Sequence, residues 1–231
     1  MTPYYDDGTC QIFHGDCREV VPTLPDGLMV TDPPYNVGYH YDEHDDAMTE
    51  RAYWMMLRRV LRTPLVFLHY PEALFRLARH IGEPEEIVAW VYHANTPKQW
   101  RMLGWFGCKP DFTLDGQDYK NDNDRRVRQL IAAGKKARLY DWWHIEQVKN
   151  VSSEKTAHPC QIPVQLMARV LRITQVDGPV IDPFAGSGTT LLAAKQLGRR
   201  AIGIERSEQY CEIAAKRLSH AALNLFGEEA V

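Results

Sequence analysis

Four consecutive residues, Asp32-Pro33-Pro34-Tyr35, could do chemistry; they follow Gly27 and the short apolar run Leu28-Met29-Val30. An acid, two prolines and an aromatic ring at a strand's end make a stiff, solvent-facing turn. Proline fixes φ and has no N–H, so the carbonyls of Asp32 and Pro33 keep free lone pairs. Such a cluster of acceptors suits an amino group on a planar heterocycle, gripped at its edge and stacked by Tyr35. A simple loop breaker would carry the same prolines, so the rest of the chain must decide.

A second constellation is Asp182-Pro183-Phe184-Ala185-Gly186-Ser187-Gly188-Thr189-Thr190, a glycine-rich turn between a strand and a helix. Glycines let a ligand approach the backbone, and a helix N-terminus offers unpaired N–H groups. Glu205 ends the next strand, where dinucleotide folds place the acid that pairs with ribose hydroxyls. A nucleoside-type cofactor follows, with NAD the first candidate. Two details turn the reading away from polyphosphates. The third glycine of the dinucleotide fingerprint is replaced by Leu191, and no lysine follows as in a phosphate-binding loop. Beside Asp182 a cationic ligand fits better, and S-adenosylmethionine carries both a sulfonium and an ammonium. A nicotinamide oxidoreductase stays as the less favoured alternative.

These turns need strands and helices to hold them. Residues 9–14 read as a strand ended by Gly15-Asp16, and residues 27–32 as a second. An acidic loop, 36–47, follows. Thr49 then caps a helix with Tyr53, Met56, Leu57, Val60 and Leu61 at i, i+3, i+4, i+7 and i+8. Residues 65–68 and 87–92 are strands separated by a helix that Pro71 opens. From about 94 to 150 the alternation stops. Trp100, Trp105, Phe106, Phe112, Tyr119, Trp142 and Trp143 interleave there with basic residues around one polar helix, which reads as an insertion. Alternation resumes with a helix from Pro163, strands at 180–182 and 201–205, a helix from Thr189 and a last helix that Ser207 caps. The pattern predicts an α/β fold with a doubly wound, mostly parallel sheet.

At 231 residues, 45% hydrophobic and 25% charged, the composition is that of an ordinary globular domain. No apolar run approaches the roughly 20 residues that span a bilayer, and the N-terminus has no signal-peptide pattern. Five scattered cysteines without a C-x-x-C pair read as reduced thiols, hence a cytoplasmic setting. The net charge of −3 conceals an asymmetry. Residues 1–50 hold one base against eleven acids, whereas residues 95–155 hold twelve Lys/Arg against eight Asp/Glu. That basic segment could face a polyanion. His40 and His44, among Asp42, Glu43, Asp45 and Asp46, lack H-E-x-x-H order, so no metal site is expected and a lid over the base pocket is the preferred reading. Trp90 reads as core, and Cys160 as a small buried residue rather than a nucleophile.

With both motifs in hand, the chain resembles the amino-group DNA methyltransferases, which methylate N6 of adenine or N4 of cytosine. The order, catalytic motif first and cofactor motif last, is similar to their circularly permuted β class. The likeness covers nearly the whole chain. Phe13-His14-Gly15-Asp16-Cys17 stands at the class's G-D-C segment, whose acid contacts the cofactor's adenine. Lys155 to Pro163 resembles K-x-x-H-P-T-Q-K-P, with Cys160 and Ile162 departing from it and His158, Pro159, Gln161 and Pro163 in place.

The resemblance implies a Rossmann-like fold with S-adenosylmethionine as cofactor and double-stranded DNA as partner. Asp32, Pro33, Pro34 and Tyr35 would be catalytic. The cofactor would meet Asp16, Cys17, Asp32, His158, Pro159, the turn Asp182, Pro183, Phe184, Ala185, Gly186, Ser187, Gly188 and Thr189, and Glu205 with Arg206. Lys98, Arg101, Arg125, Arg126, Arg128, Lys135, Lys136 and Arg138 would contact DNA. Residues 1–93 would form the catalytic half, 94–150 the target-recognition insertion and 151–231 the cofactor half. D-P-P-Y favours adenine, because the N4-cytosine enzymes usually begin this motif with Ser; N4-cytosine transfer is the alternative. An inactive DNA-binding regulator is the alternative from another class. The resemblance is compatible with a homodimer and with a cognate restriction nuclease.

Overall fold

The computed structural model describes residues 1–41, 44–149 and 152–226. In chain order the elements are β1 (Tyr5–Asp6), β2 (Cys10–His14), α1 (Cys17–Val20), β3 (Leu28–Thr31), β4 (Tyr39–Tyr41), β5 (His44–Asp46), α2 (Glu50–Val60), β6 (Leu65–His69), α3 (Leu74–Ile81) and β7 (Glu86–Val91). There follow β8 (Trp100–Phe106), β9 (Gly116–Gln117), α4 (Arg125–Ala132), β10 (Ala137–Arg138), β11 (Trp142–His144), α5 (Val164–Ile173), β12 (Val180–Asp182), α6 (Thr189–Gln196), β13 (Ala201–Glu205) and α7 (Glu208–Phe226).

Nine strands form one sheet in the order β1-β2-β13-β12-β3-β6-β8-β7-β11. Only β1 and β8 run antiparallel to their neighbours, so the sheet is mostly parallel, as the βα alternation predicts. The strands are buried on both faces, and their side chains alternate between two cores with the period of two that a pleat imposes. Leu28, Val30, Val66 and Leu68 point to the core under α5, α6 and α7. Met29, Leu65 and Phe67 point to the core under α1, α2 and α3, which Val20, Tyr53, Leu57 and Leu77 complete. Strands β12 and β13, from the C-terminal part of the chain, lie between β2 and β3. From β3 the chain continues to β6 on one side, and from β12 to β13 on the other. This reversal is a topological switch point, and ligands bind outside the strands' carboxyl ends at such a place.

Two segments differ from the sequence expectation. The stretch read as an insertion is in part central sheet: β8 pairs with β6 and β7, and Trp105 and Trp143 are among the largest fully buried side chains. The reason is that β8 is antiparallel, so it needs no crossover helix and leaves no βα signature. β9, α4 and β10 stand apart from that sheet, and none of the residues of α4 is buried. The acidic stretch read as a loop contains the hairpin β4–β5, with Tyr39 opposite Asp46. Asp42 and Glu43, and the side chains of His40 and His44, lie outside what the structure describes. Trp90 is core, as expected, and none of the five cysteines forms a disulfide. Among the described residues no helix is long and apolar enough to cross a membrane.

Candidate active site

At the switch point a cavity of about 390 Å³ opens beyond the carboxyl ends of β3, β12 and β13. Asp32 follows β3 directly, and the Asp-Pro-Pro-Tyr turn lines one wall. Asp182 ends β12 and Glu205 ends β13, and the glycine-rich turn lines the opposite wall. One hydrogen bond joins the two motifs across the strand pair: the Thr31 hydroxyl donates to Asp182 Oδ1 at 3.0 Å. The same Asp182 oxygen accepts from the Phe184 N–H at 3.1 Å, which fixes the first bend of the turn.

On the wall formed by the Asp-Pro-Pro-Tyr turn, the Tyr35 hydroxyl donates a short hydrogen bond to Asp32 Oδ1. Arg101 Nη1 stands 3.9 Å from Asp32 Oδ2, with both side chains largely withdrawn from solvent. The Tyr35 ring lies 4.3 Å from His69 and 4.8 Å from Tyr70, and the Arg101 guanidinium sits 5.0 Å from its centroid. Behind it, Tyr53 and His69 share a hydrogen bond of 3.1 Å. Burial pushes the Asp32 carboxyl up to about 6, against the pull of Arg101 and Tyr35 toward the anion. Burial likewise raises Asp182 to about 6, opposed by its hydrogen bonds from Thr190, Phe184 and Thr31. A carboxylate titrating so near neutrality is a poised acceptor rather than an inert surface charge.

On the opposite wall, Glu205 is raised by burial and uses one oxygen for the Gly186 N–H (2.8 Å) and the other for the Ser207 N–H (2.9 Å). A carboxylate has about four acceptor positions, so Glu205 braces the turn and still has capacity for two hydroxyls of a ligand. Gly186 has φ +51°, and an added Cβ would lie 2.9 Å from His158 Nε2, so only glycine fits beneath that imidazole. His158, whose pKa burial lowers to about 4, packs edge-on to Tyr210 at 4.6 Å. Its segment is braced by the Lys155 ammonium on the His158 carbonyl (2.6 Å) and by Gln161, which accepts from Thr156 and donates to the Glu154 carbonyl. Asp16 caps α1 and is ion-paired with Arg18. An acidic wall with a glycine cradle fits a cationic nucleoside such as S-adenosylmethionine.

Most of the residues singled out from sequence meet at this cavity. Asp16, Cys17, Asp32, Pro33, Pro34, Tyr35, His158, Asp182 to Ser187, Thr189, Glu205 and Arg206 all line it. Pro159 and Gly188 do not. Pro159 is exposed, and Gly188 is the N-cap of α6 at φ +76°, where a Cβ would stand 2.8 Å from that of Ala214. Its role is to let α6 approach α7. Cys160, expected to be buried, is only half-buried and lines the cavity beside His158. Of the basic residues, Lys98, Arg125, Arg126, Arg128, Lys135, Lys136 and Arg138 are exposed. Lys98 pairs with Glu72 at 2.8 Å and Lys136 with Asp118 at 2.6 Å. Arg101 is placed in the cavity instead of on that surface. Tyr70, Arg101, Tyr39 and Met48 are lining residues that sequence reasoning did not assign to the pocket. Tyr70 had a signal, since it directly follows the carboxyl end of a strand parallel to β3. Arg101 had none, because its place depends on β8 running antiparallel, with Trp90 as its partner on β7.

Comparison with known proteins agrees with this geometry. A family model described as "DNA methylase", covering N6 and N4 methylases, matches residues 67–216. The type II methyltransferase M.ScaI of Streptomyces caespitosus is 29% identical over 269 aligned positions, which cover 97% of this chain and 86% of that protein. The crystal structure of the M1.HpyAVI–SAM complex superposes with a TM-score of 0.61 at 23% identity, over 90% of this chain and 98% of that one. The cytosine-N4-specific PvuII DNA methyltransferase does so with a TM-score of 0.63 at 17% identity, over 98% and 96%. At such identities the superpositions speak for the fold. The family model extends over well more than half of the residues and takes in the end of β6, all of β8 and the whole glycine-rich turn, so this chain belongs to the N6/N4 amino DNA methylase family.

Proposed function

We propose that this DNA methylase transfers the methyl group of S-adenosylmethionine to N6 of an adenine flipped out of duplex DNA. The observation that carries the reading is that the Asp-Pro-Pro-Tyr turn and the glycine-rich turn open into one cavity, tied together through Thr31 and Asp182. A base amino nitrogen is a poor nucleophile because its lone pair is delocalised into the ring. Asp32 and the Pro33 carbonyl accept from that amino group and favour its pyramidal form. S-adenosylmethionine held on the opposite wall would supply an electrophilic methyl group, with S-adenosylhomocysteine as the leaving group that keeps the electron pair of the broken C–S bond. The protein's share is positioning and electrostatics. The Asp182 carboxylate and the turn at 184–187 would hold the cationic end of the cofactor, Glu205 its hydroxyls and Asp16 its adenine. The extra proton on nitrogen leaves readily after transfer, so Asp32 need not be a strong base. Tyr35 stacks on the flipped base, and extrusion costs a few kcal/mol of unstacking.

Arg101 gives Asp32 a counter-charge and covers the Tyr35 ring. Residues 1–93 then serve as the catalytic half and 151–231 as the cofactor half, with the exposed basic residues of 94–150 holding DNA. The test is transfer of labelled methyl to unmethylated DNA followed by digestion to nucleosides. Label in N6-methyladenine is expected. Label in N4-methylcytosine would overturn the choice of base, and cofactor binding without transfer to any DNA would favour the regulator.

A further inference from the structure

We propose that His93, His144 and Glu146 bind a divalent transition metal of the zinc class at the edge of the sheet, at a site distinct from the methyl-transfer cavity. The backbone brings the three together. β7 and β11 are parallel neighbours, with His144 opposite Val91, and the Ile145 N–H donates to the Val91 carbonyl at 3.1 Å. The two strands therefore end side by side. His93 lies just beyond β7, His144 closes β11, and Glu146 follows with one residue between. That intervening residue, Ile145, is buried, and its carbonyl accepts from Trp90 Nε1 at 2.6 Å. The ligand-bearing chain is thus pinned to the core, while both imidazoles stay exposed.

The donor atoms converge. His93 Nδ1 is 2.5 Å from Glu146 Oε1, and His144 Nε2 is 3.1 Å from that oxygen and 3.2 Å from His93 Nδ1. The rings are perpendicular, with centroids 4.8 Å apart. A circle through three atoms so spaced has a radius of about 1.7 Å, shorter than the ~2.1 Å bonds that zinc makes to nitrogen and oxygen. One ion standing about 1 Å off their plane would reach all three at normal bond lengths. Two imidazoles and one carboxylate are a donor set that zinc accepts with its fourth position left open. Lys149 approaches the other Glu146 oxygen, Oε2, at 3.4 Å and leaves Oε1 to the ion.

A bound ion would staple the end of β7 to the chain leaving β11. That chain runs on toward the segment whose His158, Gln161 and Ile162 line the cavity.

Cobalt(II) titrated into chelator-treated protein is expected to give the visible absorption of a four-coordinate site at one ion per chain. His93→Ala and His144→Ala should abolish it, and should weaken zinc by more than the ~10–100-fold typical of losing an outer hydrogen-bond partner. Zinc should raise the melting temperature of the wild type and not of either variant. Because both histidines are exposed and outside the cavity, retained methyl transfer certifies that the variants are folded. A His40→Ala/His44→Ala double variant should keep the site. Absence of the absorption in the wild type, zinc affinity unchanged in both single variants, or loss of the absorption in the His40/His44 variant would overturn the proposal.

Discussion

Asp32 concentrates the physics of the site in one carboxyl. It is withdrawn from water yet faces a permanently charged guanidinium and a phenol, so its proton affinity is a balance of opposed effects. Asp32→Ala should reduce transfer by at least about a hundredfold, in the range that a lost positioned catalytic group costs, while cofactor affinity measured by calorimetry stays close to wild type. The pH profile of kcat/KM reports free-enzyme groups, and its acidic limb should fall near pH 6, where Asp32 takes up its proton. Asp182 titrates in the same range, but only Asp32 is held down by Arg101. Arg101→Gln should therefore move the Asp32 limb to higher pH. An unmoved limb would mean that Asp182 governs it.

The same shift has a stability consequence with a definite sign. The folded pKa of Asp32 lies above its unfolded value, so its contribution is fully present below about pH 4 and is lost as pH rises through about 6. Asp32→Asn should leave denaturant stability nearly unchanged at pH 4 and raise it by about 2–3 kcal/mol at pH 8. Equal effects at both pH values would show that the carboxyl is not held out of water in the free protein.

At the scale of elements, the glycines at the two ends of α6 answer two demands that look alike in sequence. Gly188 and Gly198 both have positive φ, but only Gly188 faces a neighbouring helix. Gly198→Ala meets no atom within 4 Å and should cost about 1 kcal/mol, from backbone strain alone. Gly188→Ala adds a clash with Ala214 and should cost about 1–3 kcal/mol more, through overpacking between α6 and α7. Urea denaturation compares the two directly, and equal losses would sink the packing argument.

The parallel strands and their helices were legible because burial on both faces leaves continuous apolar runs such as Leu65-Val66-Phe67-Leu68. β8 was not legible as sheet. An antiparallel strand placed between β6 and β7 announces itself by no crossover, and its aromatic residues resemble those of a recognition loop. The short hairpin β4–β5 was missed because its strands are three residues long and His44-Asp45-Asp46 carries no apolar alternation.

Over the whole molecule, charge is divided. The acidic N-terminal part supplies Asp16, Asp32 and Asp46 to the cavity, the C-terminal part adds Asp182 and Glu205, and the basic middle segment lies largely exposed around α4. None of α4's residues is buried, so Arg125, Arg126 and Arg128 can be changed without touching either core. The triple change to Gln should weaken DNA binding and reduce the slope of log K against log salt by about 0.9 for each phosphate that is no longer neutralised. Melting temperature should stay within a degree or two of wild type, because surface changes of this kind stay within about 0.5 kcal/mol. An unchanged salt slope would place the DNA track elsewhere on the molecule.

The sequence by itself determined the chemistry that could be done: a rigid acceptor turn at Asp32, a glycine cradle at residues 182–188, and the βα alternation that sets both at strand ends. Those features are local, encoded by proline, glycine and hydrophobic period, and need no knowledge of distant neighbours. Only the tertiary structure decided that Thr31 bonds to Asp182, that Arg101 faces Asp32, and that His93 meets His144 and Glu146. Each of these pairs is far apart in the chain and joined by strand order and direction. Order and direction are properties of the assembled sheet, and no residue carries them alone.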